Sequence, residues 1–348
     1  MKNKFKLTVK VEYLLFLLIS VSTSLIVGNR GATRDTETYY SVFKNIKNLD
    51  LLNPLKFYIF TGMEIGFGWY SFLISLFTNS KFILFFVFSF LTFYIIYKIS
   101  EKIIIEYVFV VSIYLSSGYF LLQQFMQIRQ GLAIPLALLA VALFTKNNHI
   151  SLKFISLSLL SVSFHQAALP VVLVGVLSSL IFTEKKEISI DKFRVLCVIG
   201  LITFVFLSKM FLSSILINLS NRVETYSKSA EYAAELGLFR LPNIKAFCTY
   251  LFILIFMNEK TYQNKLFVVF FVLFTLGLAF RIGFSDFAIL SGRFATAFTF
   301  AEIFLLPFIF NRFKQGSIII LIFVIAQAIA TYMYQAPFVF EDYFKPLN

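Results

Sequence analysis

Apolar runs dominate the chain, and short polar segments divide them. The first run, Tyr13–Val27, follows ten residues that carry four lysines and no acid. No small-x-small cleavage site follows it, so it reads as an uncleaved first span with a cytoplasmic N-terminus. Residues 28–57 read as an outer loop. Ile59–Thr78 is apolar but interrupted by Gly62, Glu64, Gly66 and Gly68, which fits a re-entrant or interfacial helix as well as a full span. Further spans are expected over Phe82–Tyr97, Ile103–Leu122, Arg129–Thr145, Val195–Phe211, Ile244–Met257, Leu266–Phe280, Phe294–Phe310 and Ile318–Tyr334. Two half-length helices, Leu152–Phe164 and Gln166–Phe182, are predicted to fold at His165. Residues 212–243 form the largest polar stretch, a second outer loop with a surface helix ending at Gly237. Several runs fall short of the ~20 residues a perpendicular span needs; flanking residues or local thinning supply the difference. With no internal repeat and no soluble segment, residues 1–348 read as a single all-α polytopic membrane domain of roughly 11–12 transmembrane or re-entrant helices.

Composition agrees. The chain is 59% hydrophobic and 14% charged, where a soluble domain carries about 25% charged residues. Lys+Arg exceed Asp+Glu by 31 − 18 = 13. Topology and anionic lipid account for part of that excess, and no nucleic-acid partner is expected. Cys197 and Cys248 lie in apolar runs as small buried hydrophobes. Two histidines, His149 and His165, give no metal-ligand spacing, and there is no glycine-rich nucleotide loop.

If Ile59–Thr78 does not cross, the inner segments hold 14 lysines and 2 arginines and the outer ones 8 lysines and 7 arginines. The lysine bias obeys the positive-inside rule. The arginine bias runs the other way, with Arg30, Arg34, Arg129, Arg222, Arg240, Arg281 and Arg293 all outside. Arginine holds phosphate and carboxylate bidentately, so an anion is expected on the outer face.

The stretch Met126–Pro170 concentrates the chemistry. Arg129 and Arg293 each begin a helix beside a glycine. A cation there opposes the helix dipole by roughly 0.3–1 kcal/mol, and a bound anion would remove the conflict; snorkelling to lipid phosphate is the plainer reading. Arg281 ends a helix, where a cation is favourable anyway. His165, at a helix break, is a candidate general base or a satisfied core histidine. Asp35 and Glu64 supply carboxylates to the same face, as hydroxyl-orienting groups, as a base, or as parts of a solvated loop. Glu106 and Glu302 lie inside apolar runs, paired with lysines or facing a cavity. Arg222, Glu224 and Arg240 are weaker candidates.

Five short motifs occur in order: Arg34-Asp35-Thr36-Glu37-Thr38-Tyr39, Glu64-Ile65-Gly66-Phe67, Ile128-Arg129-Gln130-Gly131-Leu132-Ala133, Ser163-Phe164-His165-Gln166-Ala167-Ala168-Leu169, and Gly292-Arg293-Phe294 ahead of a helix containing Pro307. In these the chain resembles the EpsG family of polysaccharide polymerases, relatives of Wzy O-antigen polymerases. It departs where Ile65 replaces a frequent proline and Ala167 a frequent serine. The resemblance implies a GT-C-like bundle with a periplasmic-face cavity, in the bacterial inner membrane. It implies an enzyme that joins undecaprenyl-diphosphate-linked repeat units of an O-antigen, capsule or exopolysaccharide, with no cofactor or required metal. On it, His165 and Asp35 would be catalytic, Arg129, Arg293, Arg34 and Arg281 would hold the diphosphate, and Glu64 and Tyr39 the sugar. Membrane lipid, a chain-length regulator and a flippase of the same pathway are the other implied partners. An O-antigen ligase, a polyprenyl-phosphate-dependent glycosyltransferase and a lipid-linked glycan flippase are the alternatives.

Overall fold

The computed structural model describes residues 2–33, 35–183, 188–212, 215, 239–287 and 290–347. Among them every regular element is helical: α1 (Lys2–Gly28), α2 (Thr36–Lys44), α3 (Pro54–Thr61), α4 (Ile65–Ser75), α5 (Lys81–Ile103), α6 (Tyr107–Ser116), α7 (Gly118–Phe125), α8 (Ile128–Asn147), α9 (Leu152–Phe164), α10 (Ala168–Thr183), α11 (Ile190–Leu207), α12 (Leu241–Phe256), α13 (Glu259–Tyr262), α14 (Lys265–Gly283), α15 (Ala295–Thr299), α16 (Glu302–Phe310), α17 (Gly316–Tyr334) and α18 (Ala336–Phe340). Local chemistry sets many of the ends. Ser151, Ser189 and Asn264 cap α9, α11 and α14 through their side chains, each taking up a backbone N–H the helix cannot satisfy itself. Asn53 caps α3, and Pro54 occupies its first turn, where a missing N–H costs nothing.

Six helices are long and apolar enough to cross a membrane, two bent pairs form broken spans or re-entrant loops, and four shorter apolar helices accompany them. These twelve apolar passages, counted over the described residues, make the chain a polytopic helical membrane protein. The differences from the sequence reading are local. Ile103–Leu122 is not one helix: the chain turns through 79° at Ser117, between α6 and α7, where Ser117 is extended. The C-terminal half of Phe294–Phe310 is bent by 47° from the turn before it. The expected outer loop 28–57 is largely helical, holding α2, a 3-10 turn and the first half of α3. Ile59–Thr78 resolves into the end of α3 and the 11-residue α4, about 17 Å of helix against a hydrocarbon core of ~30 Å. Most of loop 212–243, including Gly237, Arg222 and Glu224, lies outside the described residues, as does Arg34.

The chain divides into two compact units. The first comprises residues 1–143, 150–172 and 314–348. In it α1 lies along α5, with Phe16 stacked on Tyr97 at 4.6 Å. Ser20 meets the Tyr107 hydroxyl at 3.2 Å. Gln327 of α17 donates to the Ile113 carbonyl and the Ser116 hydroxyl, each at 3.0 Å. The C-terminal tail closes back on the start of the chain: Gly31 N–H donates to the Tyr343 carbonyl and Ala32 N–H to that of Lys345. A Cβ on Gly31 would collide with both carbonyls, so glycine is required there.

Arg30 belongs to this joint and not to an anion site, contrary to its place among the outer arginines. It is 1% exposed. Its guanidinium donates to the carbonyls of Val27 and Gln124 and sits 4.1 Å from the Phe85 ring and 5.3 Å from that of Phe125. Burial pulls its pKa down to about 9, so it stays cationic at neutral pH, held by carbonyl dipoles and ring faces.

The second unit comprises residues 144–149 and 173–313. Its centre is α14, whose Phe270, Phe271 and Phe274 are fully buried, against α11 and α15. Cys197 is buried, but Cys248 is exposed; it lies on the outward face of α12 instead of in the core.

Gly66 marks a close approach of α4 to α9: a Cβ there would come within 2.6 Å of the Ser163 carbonyl oxygen. Gly200, in the middle of α11, has open space around it. Gly66→Ala should therefore cost about 1–3 kcal/mol of stability, and Gly200→Ala should be neutral or stabilising by up to ~1 kcal/mol. Thermal unfolding of the two variants in detergent checks this; equal melting temperatures would contradict the close α4–α9 contact.

Candidate functional site

Three helices of the first unit begin around one carboxylate. Glu64 is the N-cap residue of α4, in an extended conformation. Its Oε2 accepts from Nη1 of Arg129, in the first turn of α8. Its Oε1 accepts from the backbone N–H of Gln166 at 3.4 Å, just before α10. Each helix start carries unsatisfied N–H groups and the positive end of a dipole, and Arg129 adds a full charge. Glu64 is the counter-charge that lets these ends approach. Its side chain and that of Arg129 are only 12% and 13% exposed.

Small residues permit the approach. Gly66 lets α4 lie on the backbone of Ser163, and a Cβ on Gly131 would come within 2.6 Å of the Gln123 carbonyl oxygen, so α8 must be bare where it meets α7. Aromatic rings close the space below. Tyr39 is buried and lies 5.8 Å beneath the Arg129 guanidinium. Phe67 is 5.2 Å from Tyr39 and 6.3 Å from Phe88, and Phe88 meets Phe164 edge-on at 5.8 Å. Four of the five motifs thus meet in one place. Arg129 keeps one unmet donor: its Nε is buried without a partner, a condition that costs ~1–3 kcal/mol until an acceptor arrives.

His165 terminates α9 with an extended backbone. Its Nδ1 accepts from the N–H of Ala167 at 3.1 Å, so the ring caps the start of α10 while Glu64 takes the preceding N–H. A nitrogen that accepts from a backbone N–H carries no proton, which puts the proton of the neutral ring on Nε2. Pro170 follows in the first turn of α10, where it is tolerated. Asp35 is the N-cap residue of α2 but makes no side-chain cap hydrogen bond, and it stands one turn before Tyr39. Arg34 lies outside the described residues.

Arg281 and Arg293 belong to the second unit. Arg281 ends α14, contacts Asn243 Oδ1 at 3.5 Å, and has a buried, unpartnered Nε. Arg293 sits in a π-helical turn, Leu290–Phe294, tied to α14 by the Ser291 hydroxyl donating to the Arg281 carbonyl at 2.6 Å. Glu302 is fully buried and pairs with Lys245 at 2.8 Å, with Thr249 donating at 3.3 Å. Of the two readings open for Glu302, pairing with a lysine or facing a cavity, the fold shows the first. Lys245 as its partner, and Gln166 as a backbone donor, carried no signal in the sequence.

This is a multi-pass membrane protein whose first unit gathers its motif residues at converging helix starts. The EpsG family profile matches residues 13–348, nearly the whole chain, and the chain belongs to that family, which is associated with polysaccharide polymerases. No curated protein and no solved structure matches the chain.

Removing one member of a mostly buried ion pair leaves the other unpaired, at a cost of about 3–5 kcal/mol, whereas replacing both with apolar groups is far milder. Arg129→Met and Glu64→Met should each lower the melting temperature markedly, and the double variant should recover most of the loss. Strictly additive losses in a double-mutant cycle would mean that the pair is not a stabilising unit.

Proposed function

We propose that the protein lengthens a polysaccharide by joining lipid-linked repeat units on the periplasmic side of a bacterial inner membrane, with its N-terminus in the cytoplasm. The growing glycan, held on undecaprenyl diphosphate, is transferred to a terminal sugar hydroxyl of a new lipid-linked unit. The bond from the anomeric carbon to the diphosphate oxygen breaks. A bond from that carbon to the acceptor oxygen forms. Undecaprenyl diphosphate leaves, and the acceptor proton passes to a carboxylate, for which Asp35 is the candidate. Tyr39, buried beneath the Arg129 guanidinium, supports that donor.

The observation that carries this reading is the meeting of three helix N-termini around Arg129 with its unmet Nε. Charge grows on the departing diphosphate in the transition state, and fixed donors aimed at growing charge are the strongest catalytic device a water-poor site has. Arg129 is one such donor. His165 is the second: with Nδ1 occupied by Ala167, its Nε2–H suits hydrogen-bond donation to the diphosphate better than proton abstraction, as a neutral imidazole acts in other enzymes. Arg281 and Arg293, from the second unit, remain candidates for a second lipid diphosphate.

The test is a deletion strain whose glycans are resolved on a gel. Loss of the protein should leave single repeat units on the lipid carrier or core in place of a ladder; loss of all attached glycan would point to a ligase, and a failure to translocate repeat units to a flippase. Complementation with wild type should restore the ladder. His165→Ala should fail to restore it, while His165→Gln, which retains a donor, should restore a shortened one. A glutamine variant as inactive as alanine would return His165 to the role of base.

A further inference from the structure

A groove of about 360 Å³ opens in the first unit, and its lining is almost wholly apolar. Its walls are Trp69 and Leu73 of α4, Leu132 and Leu136 of α8, and Leu160 and Phe164 of α9, with α5 behind them. These are the helices that meet at Glu64. Arg129, Leu132 and Leu136 are spaced i, i+3, i+7, on one face of α8. Phe164 immediately precedes His165, and Leu160 is one turn further back. Gly66, two residues after Glu64, also lines the groove. The groove is therefore lined by the residues that follow or precede the polar cluster on the same three helices.

Trp69, Leu73 and Leu160 are 47%, 57% and 41% exposed, so the groove is open at the side. Trp69 is fixed as its rim by donating from Nε1 to the Leu51 carbonyl at 3.2 Å.

We infer that this groove holds the first isoprene units of a polyprenyl phosphate or diphosphate, with the phosphate end at Arg129 and His165. Charge complementarity selects the head: a guanidinium with an unmet Nε, at helix N-termini, takes an anionic oxygen. The almost wholly apolar lining suits a hydrocarbon chain, and photolabelling separates a polyprenyl chain from an acyl one. The reading rests on the proposed use of a lipid-linked donor, and it adds where the lipid lies and which residues measure it.

Leu160→p-benzoylphenylalanine in the full-length protein, reconstituted in nanodiscs with undecaprenyl phosphate, provides the test. Illumination should give a saturable adduct with the polyprenyl lipid. Excess phosphatidic acid should not compete it away, and Leu73→Trp, which fills an exposed part of the groove, should weaken it by about fivefold. Equal labelling by phosphatidic acid would overturn the inference and leave a groove for ordinary bilayer lipid. Specific labelling of a protein that lengthens no glycan would sink the polymerase reading and leave the groove standing. A lengthening activity with indiscriminate labelling would do the reverse.

Discussion

The first unit depends on one electrostatic constraint: helix starts do not gather without a counter-charge. Each brings free N–H groups and a positive dipole end, and α8 adds Arg129. Glu64 resolves the conflict with two oxygens, one for Arg129 and one for the Gln166 N–H. Other features follow from keeping that carboxylate in place. α4 starts immediately after it. Gly66 and Gly131 are bare because backbone lies against them. α9 and α10 are separate helices because an extended His165 must turn the chain past Glu64.

Arginine is used in two ways here, and the difference is in the partners. Arg30 meets carbonyls and the faces of two rings; it ties α1 to α7, while the Gly31 and Ala32 N–H groups tie the C-terminal tail to the loop that carries Asp35. Arg129 meets a carboxylate with one nitrogen and leaves another buried and unmet. Each leaves one buried nitrogen without a hydrogen-bond partner, Nη1 of Arg30 and Nε of Arg129, but the charge of Arg30 is met by carbonyl dipoles and ring faces and that of Arg129 by a carboxylate at gathered helix starts. In the second unit Arg281 resembles Arg129 in its unmet Nε.

The membrane class, most helices and the break at His165 were legible because hydropathy and helix-ending residues are local properties. The 79° turn at Ser117 was not: the apolar pattern continues through it, and the side chain that lies against Gly118 is that of Gln335, far along the chain. The motif residues were also legible as a set, but their relations were not. Arg129 and Glu64 read as holders of different parts of a ligand, whereas the fold joins them to each other. His165 read as a candidate base from its place at a helix break; the Ala167 N–H against its Nδ1 is a relation only the fold supplies. Arg30 was indistinguishable from Arg129 by residue type and side of the membrane, since nothing in the flanking sequence announces Phe85, Phe125 and Gln124 as its surroundings.

The central claim is that Arg129, steered by Glu64, presents a fixed planar donor to a departing diphosphate. The most direct measurement is the steady-state rate of purified Arg129→Lys on a lipid-linked repeat unit, with kcat and KM resolved. Lysine keeps the charge but not the guanidinium fork. The account predicts that kcat falls at least about tenfold, equivalent to ~1.4 kcal/mol of lost transition-state stabilisation, with KM nearly unchanged. A lysine enzyme with wild-type kcat would contradict it, because a point charge would then suffice.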